Sequence, residues 1–200
     1  MIQTTLFPDA PANTEHPMPE GFRYQPELID AHEEKILAAA IAAMSLKPYQ
    51  FRGFYANRNV IAFGFRYNYD SRRLERTADL PPLIKNLRAK VASFSGKPAE
   101  AFQQVLITEY VPGTALGWHR DRLQYGEIAG VSLLSAAKFR VRRREGSRWM
   151  RASRIIEPRS VYIMADEVRL AWEHSIPAAD VSRYSLTFRT LADSFVAPDP

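Results

Sequence analysis

Arg183-Tyr184-Ser185-Leu186-Thr187-Phe188-Arg189 alternates without a break, with Arg183, Ser185, Thr187 and Arg189 on one side of an extended chain and Tyr184, Leu186 and Phe188 on the other. The stretch is a strand with an apolar face for a core and a polar face that carries two arginines. Upstream, Val60–Tyr69, Gln104–Tyr110, Ile128–Leu134, Lys138–Arg143, Trp149–Ile156 and Ser160–Ala165 are also short, rich in β-branched or aromatic residues and separated by turn residues. Two helices precede most of them. One starts at Asp30, with Glu33 three residues on, and runs through Ile36, Leu37, Ala40, Ile41 and Met44. The other starts at Pro81 and Pro82 and stops at Gly96. Many short strands after early helices favour a mainly β, α+β jelly roll flanked by helices over a parallel sheet whose strands alternate with helices.

The 200 residues are 46% hydrophobic and 24% charged, which suits one domain with its own core and excludes collagenous and disordered classes. No stretch approaches the ~20 apolar residues of a membrane helix. With no cysteine in the chain, disulfide scaffolds, iron–sulfur clusters and thiol nucleophiles are excluded. The proline-bearing residues 1–20 read as a flexible arm and 21–195 as a single domain, expected to be monomeric. The start of the chain lacks a secretion-signal pattern, so a cytoplasmic location is expected. The net charge is only +5, yet between Lys138 and Arg154 eight basic residues face the single acid Glu145. Lys138, Arg140 and Arg142 alternate with Phe139 and Val141, giving a basic stripe able to follow phosphates, or else a solvated strand face.

Four histidines are present, of which His16 and His32 have no partners in a metal-binding pattern. In Gly117-Trp118-His119-Arg120-Asp121 the imidazole and carboxylate are two apart, so on an extended backbone they project to the same side. His174 from a distant strand completes two imidazoles and one carboxylate, a facial set that suits non-haem Fe(II) with a chelating co-substrate and dioxygen. A core histidine beside Trp172 is the plainer alternative for His174. Arg183 and Arg189, with backbones ~20 Å apart on one strand face, are able to fold inward on a small dicarboxylate.

The ordered combination of Tyr110-Val111-Pro112-Gly113, His119-x-Asp121, Trp172-Glu173-His174-Ser175-Ile176-Pro177 and Arg183–Arg189 resembles the AlkB-like 2-oxoglutarate- and Fe(II)-dependent dioxygenases, over most of residues 53–189. The resemblance implies a double-stranded β-helix (jelly roll), with a lid and support region over about residues 53–100 and a core over about 101–192. It implies that His119, Asp121 and His174 bind iron, that Arg183 pairs with the distal carboxylate of 2-oxoglutarate, that Tyr110 donates a hydrogen bond to it, and that Arg189 lies near the chelating end. Thr108 and Ser185 stand where the family usually has asparagine, and Leu123 where it often has an acidic residue.

The implied chemistry couples decarboxylation of 2-oxoglutarate to hydroxylation of a C–H bond, on N-alkylated bases in DNA releasing the alkyl group as an aldehyde. The base must leave its stack to be reached. Phe65 and Tyr67, within an aromatic face formed by Ile61, Phe63, Phe65, Tyr67 and Tyr69, and Tyr55 upstream of it become candidates for stacking on it, with Arg140 and Arg142 for its phosphates. Gln3-Thr4-Thr5-Leu6-Phe7 resembles the peptide by which bacterial repair proteins dock on the sliding clamp. The same oxygenase chemistry on RNA, protein or a small molecule, a non-catalytic metal-binding β-barrel and a zinc hydrolase remain the alternatives.

Overall fold

The computed structural model describes residues 17–51, 54–68, 71 and 73–192. In chain order the elements are β1 (Phe22–Gln25), α1 (Ala31–Ala42), β2 (Lys47–Phe51), β3 (Phe54–Phe63), β4 (Phe65–Asn68), β5 (Arg73–Arg76), α2 (Pro82–Ser95), β6 (Phe102–Tyr110), β7 (Leu116–His119), β8 (Tyr125–Leu133), β9 (Ala137–Glu145), β10 (Arg148–Ile156), β11 (Val161–Met164), α3 (Asp166–Leu170), β12 (Glu173–Ile176) and β13 (Arg183–Leu191). A seven-stranded sheet ordered β1-β11-β8-β13-β6-β3-β2 faces a four-stranded sheet ordered β10-β9-β12-β7, and β4-β5 form a separate hairpin. Neighbouring strands pair antiparallel, as a jelly roll requires.

The helices begin and end where their capping chemistry places them. Asp30 Oδ1 accepts from the Glu33 amide at 2.8 Å and Glu33 Oε2 from the Asp30 amide at 3.3 Å, closing the capping box of α1. Pro81 and Pro82 open α2, and Gly96 ends it at φ 82°. Both helices bury Leu37, Ile41, Ile84, Leu87 and Val91 in one cluster with Leu186 and Phe188, the apolar face of β13. Fully burying each of these β13 side chains contributes about 1.5–3 kcal/mol. With that face turned to the helices, Arg183, Ser185 and Arg189 turn into the space between the sheets, which Phe139, Val141, Tyr162 and Trp172 help to fill.

Two expectations are corrected. The single strand expected over Val60–Tyr69 is broken at Gly64, whose φ of +77° and whose missing Cβ, which would lie 2.0 Å from the Gln103 carbonyl oxygen, permit a sharp change of direction. The aromatic face is thereby divided between β3 and the β4-β5 hairpin. Of the stretch expected to be a flexible arm, residues 17–20 are described and pack on the domain, with Met18 on the inter-sheet cluster and the Glu20 carbonyl accepting from the Val168 amide at 3.1 Å. β7 and β12 supply the extended backbone expected at His119 and the distant strand expected at His174, while α3 went unpredicted because five residues are too short to display a period. Gln3–Phe7 and Tyr69 lie outside the described residues. No helix among the described residues is long and apolar enough to cross a membrane.

Candidate metal and co-substrate site

β7 and β12 are hydrogen-bonded neighbours with His119 directly opposite His174, so strand register alone brings the two imidazoles face to face, ring centroids 4.2 Å apart. Asp121 lies just beyond the end of β7. Its Oδ1 is 3.4 Å from His119 Nε2, and one ligand atom from each of His119, Asp121 and His174 lies within 4.8 Å of the others. His119 Nδ1 is 2.9 Å from the Gly117 carbonyl, which makes Nδ1 the protonated nitrogen and leaves the Nε2 lone pair toward Asp121.

Burial and neighbouring charges hold His174 and Asp121 in the form that binds a cation. Burial, followed by the neighbouring His119, pushes the His174 imidazole down to about 3, so it is neutral at physiological pH. It stacks on Phe139 at 5.5 Å. For Asp121 burial works to raise the carboxyl, but the Arg189 guanidinium and the two neighbouring imidazoles outweigh it and hold it well below the usual carboxylate range. Two imidazoles and one carboxylate converging on one point are the donor set of a non-haem Fe(II) centre.

Beside this cluster the arginines of β13 divide the work. Arg189 donates from Nε to Asp121 Oδ2 and from Nη1 to Gln104 Oε1, each at 2.9 Å. Arg183, 4% exposed, donates from Nε to Ser132 Oγ at 2.8 Å, while its Nη1 and Nη2 are buried without a hydrogen-bond partner. A buried guanidinium with both terminal nitrogens unpaired is costly unless an anion completes it. Arg183 also lines a cavity of about 160 Å³ together with Tyr110 and Ile176, the latter two residues beyond His174 on β12. Tyr110 stands directly opposite Arg183, and Thr108 opposite Ser185. The residues expected to contact 2-oxoglutarate, Arg183 and Tyr110 with Ser185 and Thr108, therefore form alternate rungs of one ladder on the same sheet face, and an unpaired arginine beside a cavity fits a dicarboxylate.

The expected base contacts are dispersed. Phe65 is 7% exposed, in a small cluster with Leu74 and Tyr125, and packs as a core residue. Tyr67 reaches the metal loop, with Arg122 4.8 Å over its ring. Tyr55 is on β3, its side chain outside the described residues. Arg140 and Arg142 lie on the outer face of the four-stranded sheet: Val141, between them, is the residue opposite His174. The sheet therefore separates them from the metal cluster, so the phosphates their stripe is expected to follow lie on the far side of the sheet from the reacting position.

Sequence reasoning missed Gln104, Ser132 and Arg169. Buried Arg169 donates to the carbonyls of Asp121, Arg122, Tyr125 and Gly126 at 3.3, 2.6, 2.7 and 2.9 Å, fixing the loop that carries Asp121. An isolated Gln, Ser or Arg in a strand or short helix carries no local signal of such partners.

These features define a metal-dependent oxygenase of the jelly-roll class. The chain belongs to the 2OG-Fe(II) oxygenase superfamily, whose family model matches residues 30–189, and it is similar to AlkB-type members of it. Members use Fe(II), 2-oxoglutarate and dioxygen, consistent with the His-Asp-His cluster. The chain is 25% identical over 181 residues to the "Alkylated DNA repair protein ALKBH8 homolog" of Arabidopsis thaliana, covering 78% of this chain and 51% of that protein. It is 26% identical over 165 residues to the mouse "tRNA (carboxymethyluridine(34)-5-O)-methyltransferase ALKBH8", covering 80% of this chain and 24% of that one. The chain thus spans about half the length of the first of these curated relatives and about a quarter of the second. Its fold matches the structure of OsALKBH1 with a TM-score of 0.65 at 14% identity, covering 88% of this chain and 99% of that chain.

Proposed function

We propose that the chain is an oxidative dealkylase of N-alkylated nucleobases in DNA, with His119, Asp121 and His174 holding iron and Arg183, Tyr110, Thr108 and Ser185 holding 2-oxoglutarate. The observation that carries the reading is the buried, unpaired Arg183 guanidinium beside a cavity and next to a preformed His-Asp-His cluster. When bound, iron and its co-substrate supply the oxidation of a C–H bond. The protein supplies binding, orientation and exclusion of water.

Each residue has a distinct part. His174 offers a nitrogen that burial keeps unprotonated, and His119 offers Nε2 because Gly117 occupies Nδ1. Asp121 is kept ionised by Arg189, whose own orientation Gln104 fixes. Arg183 receives the distal carboxylate, and its Nε bond to Ser132 aims the two free nitrogens. Tyr67 and Arg122, stacked on each other at the metal loop, are the aromatic and cationic groups assigned to an extruded base.

Nucleic acid as substrate is supported by the names of both ALKBH8 relatives. The mouse relative's name concerns tRNA and favours RNA as the second reading. Docking of Gln3–Phe7 on a sliding clamp accompanies the DNA reading alone. Turnover on single-stranded DNA and RNA carrying 1-methyladenine or 3-methylcytosine, with formaldehyde and succinate followed together, tests the assignment. Equal amounts of both products from DNA are expected; coupled turnover only on RNA selects the second reading, and succinate without formaldehyde on either contradicts both.

A further inference from the structure

The outer face of the four-stranded sheet carries side chains that the iron side does not use. Register fixes which they are: Arg142 stands opposite both Glu173 and Arg151, Arg140 opposite Ser175 and Ser153, and Trp149 opposite Arg144. The alternate residues Phe139, Val141 and Ala152 are in the core. On the outer face the Arg142 guanidinium lies 4.4 Å over the Trp118 ring and 4.3 Å over the Trp149 ring, while its Nε donates to Glu173 Oε2 at 2.7 Å. Since the strands run in the order β10-β9-β12-β7, Trp149, Arg142, Glu173 and Trp118 form a ridge that crosses all four.

Folding alone does not favour this surface. Arg142 and Arg151 are like charges directly opposite each other, an arrangement that lowers sheet stability. Among the described residues Glu173 is the acid on this face and its carboxylate is taken by Arg142, leaving Arg140, Arg144 and Arg151 without a described carboxylate on it. Trp149 stays 37% exposed and Ile155 48% exposed among these cations. Cations two residues apart on a strand repeat every ~6.6 Å. A flat sheet face that interleaves such cations with exposed indole has the chemistry of a single-strand binder, in which cations follow phosphates and aromatic rings take unpaired bases.

We propose that this outer face is a docking track for single-stranded nucleic acid, holding the strand that flanks the reacting base. The inference rests on the nucleic-acid reading above and adds a second surface to it. Arg140, Arg144 and Arg151 contact phosphates, and Trp149 stacks on a base, which a paired duplex does not offer. The track connects with the metal side because β7 is the edge strand of its sheet and Trp118 precedes His119 on it. A strand passing Trp118 turns over that edge toward the cluster.

The test is anisotropy of a labelled, unmodified oligothymidine titrated with the full chain across a salt series. Wild type is expected to bind with a steep salt dependence. Arg144→Glu/Arg151→Glu is expected to weaken binding at least 10-fold and flatten the log–log salt slope by about 1.4, the contribution of two phosphate contacts on a single strand. Trp149→Ala is expected to weaken binding by about 5- to 100-fold with the slope kept. Unchanged thermal midpoint and unchanged 2-oxoglutarate binding show that the variants are folded. Wild-type affinity and slope in the folded variants overturn the proposal, as does absence of salt-sensitive binding by wild type. Failure of the dealkylase reading registers in the turnover assay instead and leaves these binding data standing.

Discussion

Arg189 donates its Nε hydrogen to Asp121 Oδ2 at 2.9 Å, with both side chains about nine-tenths buried. The last arginine of the β13 motif is thus a partner of a metal ligand. Arg189→Met removes the counter-charge and the hydrogen bond together, and breaking a buried pair from one side costs about 3–5 kcal/mol. Asp121 then rises from its depressed value toward and past the ordinary carboxylate range. In wild type the depressed carboxyl contributes stability that is full above its unfolded value of 3.8 and lost as pH falls through the folded value. The variant loses both stability and iron binding at a higher pH than wild type does. Anaerobic titration with Fe(II) at neutral pH is expected to show about 10- to 100-fold weaker binding.

Arg183 has the opposite character, a buried cation whose terminal nitrogens await a partner. Arg183→Met keeps the aliphatic stem and removes the unpaired charge, so the ligand-free variant is expected to melt at or above the wild-type temperature. It is also expected to lose the stabilisation that 2-oxoglutarate confers on wild type, with affinity for the co-substrate down by about 100-fold, equivalent to two charge-assisted hydrogen bonds of ~1.5 kcal/mol each. Thermal melts with and without 2-oxoglutarate check both halves. A purely structural role for Arg183 lowers the ligand-free midpoint instead.

Arg169 secures the loop after Asp121 through four backbone carbonyls. Arg169→Met leaves those acceptors without their donor and frees the segment to open locally. Limited trypsin digestion is expected to cut after Arg120 or Arg122 about 10-fold faster than in wild type, with slowing on addition of a metal that binds Asp121.

Gly64 joins β3 to the β4-β5 hairpin at a positive φ with the Gln103 carbonyl against it. Gly64→Ala is expected to lower unfolding free energy by ~3 kcal/mol, the sum of the left-handed penalty and the clash. Urea denaturation measures it.

Legibility in the sequence followed the length over which a pattern repeats. β13, β9 and β10 span nine residues each and show their alternation plainly, and the caps of α1 and α2 are written in Asp30, Glu33, Pro81, Pro82 and Gly96. His119, Asp121 and His174 converge as their spacing and order implied. Gln104 and Ser132 were invisible because their roles arise from pairing with β13 across the ladder, not from neighbours in sequence. Arg140 and Arg142 were placed correctly on one strand face, but which face looks at the metal depends on Val141 meeting His174 in register. Phe65 was read with the wrong strand because one glycine turned the chain.

The most direct measurement of the central claim, that His119, Asp121, His174 and Arg183 build one site for Fe(II) and 2-oxoglutarate, is the visible absorption of the protein with both under anaerobic conditions. A weak charge-transfer band is expected in wild type, absent in His174→Ala and requiring far more 2-oxoglutarate in Arg183→Met. Wild-type protein that takes up Fe(II) yet shows no band at any 2-oxoglutarate concentration, or a His174→Ala variant that keeps the wild-type band, contradicts the account.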